Sequence, residues 1–372
     1  MKLLIIGGTG VLSGAVAREA IRQGIEVYIL HRGTKMNLIP EGANSLLADI
    51  KDCSGVESVL RGMQFDSLID FLCYKKDELK NNYQLLHKYT KQYVFISTAC
   101  VYDTSIPGVK REDAPKVLDS WSYSKEKWEC EEYLMEISKY TNIPYTIVRP
   151  AVTYDNTRIP YGITPVYGYH WTLIGRILAD KPIITWDEGR SRWNLMRVED
   201  FAIGVVAVIG NKKAYNEAYN ISGDIAYSWM DVLNTLSKVL NHKVKIYNLT
   251  TKEYCSLFPE RAEEISARAL DSIIDTSKIK AIVPSFYTSI SLETGIKMVV
   301  DAYKKNNHFK GIDYRYDGCM DRIISRSRGT SDARFVDYLS NSTLKDKLSY
   351  YHAFYQGTIK GKFISYLMKV IR

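Results

Sequence analysis

Short apolar runs and stretches of helical spacing alternate along the first half of the chain. Leu3–Ile6 is apolar without a break, the pattern of a strand buried on both faces. Gly7, Gly8, Gly10 and Gly14 follow at once, and Val16, Ala17, Ala20 and Ile21 then repeat at helical spacing. Glu26–Leu30 reads as a second strand, 46–50 as a third, Ser67–Cys73 as a fourth and Gln92–Ser97 as a fifth. Leu79, Tyr83 and Leu86 predict a helix over 78–90, and Ile147–Pro150 a sixth strand. Beyond Pro150 the alternation weakens. Residues 161–171 are rich in Tyr, Pro and Gly and read as an irregular loop that opens a helix at 172–179, its aromatics free to stack on a sugar or base or simply to pack. A strand at Asn220–Gly223 and helices at 228–240 and 292–303 continue the plan.

Strands and helices in strict alternation predict an α/β protein with a Rossmann-like, doubly wound parallel sheet and a smaller C-terminal substrate-binding lobe. The expected division is 1–155 for the cofactor-binding half, to which some later segments return, 156–325 for the lobe, and 326–372 for a basic extension. Its 372 residues are ample for a large core, and no apolar run approaches the ~20 residues of a membrane span. The six cysteines are scattered without a Cys-x-x-Cys pair, and the six histidines lack metal-ligand spacing. Reduced thiols, no metal and a cytoplasmic location are expected. The net charge of +8 is concentrated at the end: residues 326–372 hold nine lysines and arginines against three aspartates. The remainder is nearly balanced, which argues against a nucleic-acid protein as a whole.

A buried strand, a glycine turn and a helix together make a phosphate cradle, because glycine turns without a Cβ and free N–H groups at a helix start face an anion. The spacing Gly7-x-x-Gly10 resembles the Gly-x-x-Gly-x-x-Gly turn of the extended short-chain dehydrogenase/reductase superfamily, with Ser13 in the third glycine position and Gly14 beside it. Ser97-Thr98-Ala-Cys-Val101-Tyr102 resembles that superfamily's Ser-Ser/Thr-x-x-Val-Tyr stretch, which makes Thr98 the implied catalytic hydroxyl. Some 25 residues on stands Tyr123-x-x-x-Lys127, one helical turn apart and so on one face. A free tyrosine is a poor base at neutral pH, and a lysine ammonium and a nicotinamide cation nearby favour its phenolate. Lys125 lies on another face.

The order of these three motifs identifies the chain as resembling the nucleotide-sugar-modifying NAD-dependent epimerase/dehydratase type. The resemblance covers roughly residues 1–325. It implies cofactor contacts from Gly7, Thr9, Gly10, Val11 and Leu12 in the turn, from Asp49 and Ile50 after strand three, from Phe71 and Leu72 after strand four, and from Tyr123, Lys127 and Pro150. After strand two, where an acid on the adenosine ribose would favour NAD, the chain reads His31-Arg32-Gly33. Arg32 can face a 2′-phosphate or stack on adenine, so NADP is expected ahead of NAD. Implied substrate contacts are Tyr154, Arg190, Arg192 and Trp193; many sugar-nucleotide members carry a diphosphate-clamping arginine where Trp193 stands. Thr98 is followed by Ala99-Cys100 and not by the Asp-Glu pair of 4,6-dehydratases, so epimerisation or keto-sugar reduction is implied in place of dehydration. The chain also resembles plant chloroplast stem-loop RNA-binding proteins of the same fold, which keeps a non-catalytic RNA- or cofactor-binding reading open. A homodimer is a further implication of the resemblance.

Arg326–Ser331 reads as a linker. The final stretch, 359–372, is basic and amphipathic. It suits peripheral contact with a membrane surface or a partner, or a helix docked on the chain's own core, which is the preferred reading.

Overall fold

The computed structural model describes residues 1–116, 121–166, 168–306 and 311–370. The chain forms two compact units, the first from 1–155, 193–226 and 272–290, the second from 156–192, 227–271 and 291–372.

In the first unit, β1 (Lys2–Ile6), α1 (Val11–Arg22), β2 (Glu26–His31), β3 (Asn44–Leu47), α2 (Cys53–Leu60), β4 (Ser67–Asp70), α3 (Lys76–Leu86), β5 (Tyr93–Ile96), α4 (Ser122–Thr141) and β6 (Tyr145–Pro150) alternate as the apolar pattern predicts. The strands join with β10 (Glu217–Ile221) in a seven-stranded sheet ordered β10-β6-β5-β4-β1-β2-β3. Its strands pair in parallel, with Leu4 opposite Tyr28 on one side and Leu68 on the other. The unbroken apolar runs are explained by their two-sided burial. Leu3 and Ile5 face a core with Val16, Ala20, Phe201 and Val205, whereas Leu4 and Ile6 face another with Val56, Leu79, Tyr83 and Leu134. The helix supplying Phe201 and Val205 is α6 (Val198–Val208). It follows β9 (Arg192–Arg197), which pairs in parallel with β7 (Val152–Tyr154), and α10 (Ser277–Ile282) completes this unit. The third strand ends at Leu47, so Asp49 and Ile50 lie in the loop beyond it; the fourth ends at Asp70, so Phe71 and Leu72 also stand in a loop.

The second unit holds α5 (Trp171–Leu178), β8 (Ile183–Trp186), α7 (Trp229–Leu240), β12 (Ile246–Leu249), α8 (Thr251–Leu257), α9 (Ala262–Arg268), α11 (Leu292–Lys305), α12 (Tyr314–Arg328), α13 (Leu344–Phe354) and α14 (Ile359–Val370); the chain re-enters this unit within β11 (Ala226–Ser228). Parallel β8 and β12 form its small sheet. Four buried charges sit at its centre. Arg176 of α5 and Lys181 just beyond it contact Asp317 and Asp321 of α12, with Lys181 Nζ 2.9 and 2.7 Å from the two carboxylates. Tyr338 donates to Asp317 at 2.8 Å and Tyr350 to Asp321 at 2.6 Å. Burial opposes the Asp321 charge, but Arg176 and Lys181 hold its carboxyl below the usual range. The basic extension is therefore bonded into this unit through Tyr338 and Tyr350. The sequence places a linker at Arg326, but α12 runs on to Arg328 and closes on a left-handed Gly329.

The last helix docks by one side only. Gly361 lets α14 approach the end of α13, since a Cβ there would stand 2.2 Å from the Tyr355 carbonyl oxygen. Ile359, Phe363, Tyr366 and Val370 remain exposed, which corrects the reading of a helix whose apolar face is covered by its own core. Residues 371 and 372, including the basic Arg372, lie outside the described residues. Among the described residues no helix is long and apolar enough to cross a membrane.

Part of the irregular stretch at 161–171 packs inward: Tyr161, Ile163, His170 and Trp171 are buried, whereas Val166 and Tyr169 are exposed, and residue 167 lies outside the described residues. His170 Nδ1 accepts the Ile159 N–H at 2.8 Å, and burial, helped by Arg158, pushes its pKa down from 6.5 to about 3. Between those values the unfolded chain binds a proton that the folded chain refuses, so stability rises with pH across the window. Denaturant unfolding is expected to lose up to about 1.4 kcal/mol per pH unit as pH falls below about 6.5. In His170→Gln this part of the slope disappears; an unchanged slope would remove His170 as its source.

Candidate functional site

The glycine turn after β1 is set by contacts that leave no room for side chains. Gly7 has φ +84°, and a Cβ on it would lie 2.6 Å from Leu72; a Cβ on Gly8 would lie 2.6 Å from Ile29. Ser13, which replaces the third glycine of the resemblance, ties the turn together. Its hydroxyl donates to the Gly7 carbonyl at 2.7 Å and accepts the Gly10 N–H at 2.9 Å. Gly14 meets its surroundings at ordinary distances, so the tight fit belongs to Gly7 and Gly8. Val11 and Leu12 open α1, where backbone N–H groups have no partner within the helix.

A cavity of about 1040 Å³ opens beside this turn. Gly7, Thr9, Gly10, Arg32, Asp49, Ile50 and Leu72, all expected from the sequence, line it. Val11, Leu12, Phe71, Tyr123, Lys127 and Pro150 are not among its lining residues. Its wall also includes His31, Lys35, Lys51, Tyr74 and Asn82, which sequence reasoning did not single out. The His31 ring is fixed between the Gly33 N–H at Nδ1 and the Ser45 hydroxyl at Nε2, so Arg32 projects from a braced corner and is exposed. Asp49 accepts the Lys51 N–H at 3.0 Å.

The wall beyond β4 is organised by the buried Asp70. Its carboxylate accepts from the Leu72 N–H at 2.8 Å, Asn82 at 2.9 Å, Tyr93 at 2.8 Å and the Cys73 thiol at 3.0 Å. This fixes the loop that presents Leu72 and Tyr74 to the cavity and turns the Cys73 carbonyl toward Lys127. Lys127 is 3% exposed, and its ammonium donates to the carbonyls of Cys73 at 2.6 Å and Ile96 at 2.9 Å. The Tyr74 and Phe95 rings each lie 4.8 Å from it. Burial lowers the Lys127 pKa, and among the described residues no carboxylate pairs with it directly. The lysine is thus fixed by two backbone dipoles, one at the C-terminal end of β5 and one in the loop after β4.

Tyr123 lies in the first turn of α4, one turn before Lys127, with the Trp121 ring 5.2 Å away. Thr98 follows β5 and is 6% exposed; its hydroxyl oxygen accepts the Cys100 N–H at 3.2 Å, leaving the hydroxyl proton to be donated elsewhere. One turn after Lys127 along α4, the buried Glu131 accepts from the Ser97 hydroxyl at 2.5 Å and from Arg149 of β6 at 2.6 Å. Arg149 also donates to Tyr102 at 2.8 Å, and Tyr102 to Asn220 at 2.6 Å. Burial opposes the Arg149 charge, and Glu131 more than restores it, raising its pKa. Glu131 and Asp70 carry no motif of their own; the one signal for Asp70 is an acid closing an apolar run.

The expected substrate residues are placed differently from one another. Tyr154 is 2% exposed, with the Arg197 guanidinium 5.3 Å from its ring. Trp193 is 1% exposed. Arg190 and Arg192, in the second unit, are exposed and ion-paired with Glu188 and with Asp271, the latter at 2.7 Å.

A glycine cradle at the end of β1, a parallel sheet in this order and a Tyr-x-x-x-Lys helix define an extended short-chain dehydrogenase/reductase. The chain belongs to the NAD dependent epimerase/dehydratase family, whose model matches residues 3–222. It is 30% identical over 238 residues to a chloroplast stem-loop binding protein of 41 kDa from Arabidopsis thaliana, a match covering 60% of this chain and 59% of that protein. It is 19% identical over 288 residues to 2'-dehydrokanamycin reductase of Streptomyces kanamyceticus, covering 77% and 80% of the two chains. Among solved structures, UDP-glucuronic acid 4-epimerase from Bacillus cereus in complex with UDP-glucuronic acid and NAD superposes with a TM-score of 0.65 at 19% identity, over 82% of this chain and 99% of that one. The chain thus spans 59% of the length of its chloroplast relative.

Ser13→Ala removes both side-chain bonds of the turn while keeping its helix position. About 2 kcal/mol of unfolding free energy should be lost, at roughly 1 kcal/mol per bond. Urea unfolding beside the parent protein measures this, and unaltered stability would show that the glycines hold the turn alone.

Proposed function

We propose that the chain is an NAD(P)-dependent enzyme that epimerises a nucleotide-activated sugar through a transient ketone. The observation that carries this reading is the placement of Tyr123 and Lys127 one turn apart at the start of α4, with Lys127 held by the Cys73 and Ile96 carbonyls and Thr98 following β5. The cradle supports a dinucleotide: Gly7 and Gly8 have no space for a Cβ, and the cavity beside them takes in Gly7, Thr9 and Gly10. Bound there, the nicotinamide would supply the hydride acceptor and donor that the reaction needs.

This chain's own residues supply the proton chemistry and the positioning. Tyr123 takes the proton of the sugar hydroxyl that becomes the ketone and returns it after the sugar face has changed. The nearby Lys127 charge favours removal of that proton. Thr98 donates to the same sugar oxygen, since its own oxygen is already occupied by the Cys100 N–H. Ala99 and Cys100 offer no carboxylate for loss of water. Arg190 and Arg192 are the candidates for the diphosphate, and each must exchange its carboxylate partner for phosphate.

Reduction of a keto-sugar by NADPH is the second reading, and Arg32 favours it. This exposed guanidinium lines the cavity in the place where an acid would select NAD, and Lys35 and Lys51 line the same cavity. The likeness to 2'-dehydrokanamycin reductase points the same way.

The decisive assay is heat release of nucleotide from the purified protein. One equivalent of retained NAD or NADP supports internal recycling and epimerisation. A protein that arrives empty and then takes up NADPH supports reduction, and one that binds neither defeats both.

Tyr123→Phe, which keeps the ring and removes the acid–base group, should lower kcat by about 10²–10⁴-fold with nucleotide binding retained. Turnover at the parent rate would exclude Tyr123 as the base.

A further inference from the structure

The helix α14 carries two kinds of side chain in separate lanes. Ile359, Phe363, Tyr366 and Val370 recur at spacings of four, three and four, so they form one stripe. They are 86%, 61%, 64% and 65% exposed. The opposite side is used up: Gly361 is buried against the end of α13, and Ile364 and Met368 are half-buried on that side. Lys362 and Lys369 flank the stripe on one edge and Lys360 lies on the other, all three exposed. The helix holds no carboxylate. Just before it, Arg326 donates to the Gln356 carbonyl at 2.5 Å, adding a guanidinium at its N-terminal end.

From this we propose that α14 is a peripheral membrane-binding element that lies on an anionic phospholipid surface with its apolar stripe immersed. The argument is one of charge and shape. A helix with an apolar lane between lysines suits the headgroup boundary, where the rings and methyls enter the acyl region and the ammonium groups reach phosphates. Two copies of this chain fit the stripe poorly. Pairing α14 with itself sets lysine rows against lysine rows with no acid on the helix to neutralise them. A row of four side chains is also small beside the ~800 Å² per partner of a stable interface. A twelve-residue helix is about 18 Å long, too short to span a bilayer, so contact is confined to the surface. The inference does not rest on the proposed catalytic reading.

The test is co-sedimentation of the full-length protein with vesicles of phosphatidylcholine alone and of equal parts phosphatidylcholine and phosphatidylglycerol. Binding to the anionic vesicles only, lost near 1 M salt where the Debye length falls to about 3 Å, is the expected result. Phe363→Glu should abolish it, and Lys362→Ala should weaken it about fivefold. Phe363 is exposed, so the variant should keep the parent melting temperature, which is measured alongside. Tyr366→Trp provides a second readout: its emission should shift to the blue on adding anionic vesicles. The proposal fails if the protein stays in the supernatant with anionic vesicles, or if Phe363→Glu sediments as the parent does. It fails equally if lipid-free sedimentation velocity shows a dimer that Phe363→Glu dissolves, because the stripe would then belong to a second copy.

Discussion

The buried pairing of Glu131 with Arg149 is the constraint on which the candidate site depends. Glu131 is fully buried on α4, Arg149 is 3% exposed on β6, and Ser97 at the end of β5 donates to the same carboxylate. Three elements that share no local sequence are thereby fixed at one point. Tyr123 and Lys127 lie two turns and one turn before Glu131 on the same helix, so their height above the sheet follows from this contact. Such a pair is not kept for net stability: the desolvation of two charges cancels much of their attraction, and half of the pair left alone is far worse than none. What it provides is position. A hydrophobic contact would have allowed α4 to slide along the sheet, whereas three donors converging on one carboxylate define a register.

The same logic governs Lys127. An ammonium 3% exposed would normally lose its proton or find a carboxylate. Here two backbone carbonyls, those of Ile96 and Cys73, and two aromatic faces stabilise it. One of those carbonyls, that of Cys73, belongs to the loop that Asp70 holds in place. A single buried acid therefore shapes the cavity wall through Leu72 and Tyr74 and seats the lysine through Cys73. Asp70 holds the loop that meets Lys127, and Glu131 holds the helix that carries it.

How much of this was legible beforehand divides along physical lines. Strands buried on both faces leave unbroken apolar runs, so β1, β4 and β5 stood out, and the glycines between β1 and α1 marked a turn that tolerates no Cβ. The spacing of Tyr123 and Lys127 is fixed by helical geometry. Glu131 and Asp70 were not legible, because a buried polar group is recognised by what surrounds it in space and partners such as Arg149 and Tyr93 lie in distant segments; Ser13 stood out only as a missing glycine, and its bonds to Gly7 and Gly10 appear only in the folded turn. Arg149 lay unmarked within the expected sixth strand, although its guanidinium binds inward to Glu131 and Tyr102. Trp193 and Tyr154 show the converse limit: an aromatic residue in a suggestive segment reads alike whether it faces a ligand or the core, and both are buried.

Charge in the second unit is distributed in two opposite ways. Arg176 and Lys181 are enclosed with Asp317 and Asp321, each cation answered by an anion, and Tyr338 and Tyr350 carry that network outward into the basic extension. Those bonds hold the segment leading to α13 and α14 against the body of the unit. On α14 the lysines face water without a carboxylate on the helix, beside four exposed apolar side chains. Neither pattern can substitute for the other. A cation with neither carboxylates nor carbonyls around it would not survive in the interior, and a balanced network has no charge left for a partner. The buried set makes the extension a fixed part of the protein; the exposed set turns a basic, partly apolar face of that part to solvent.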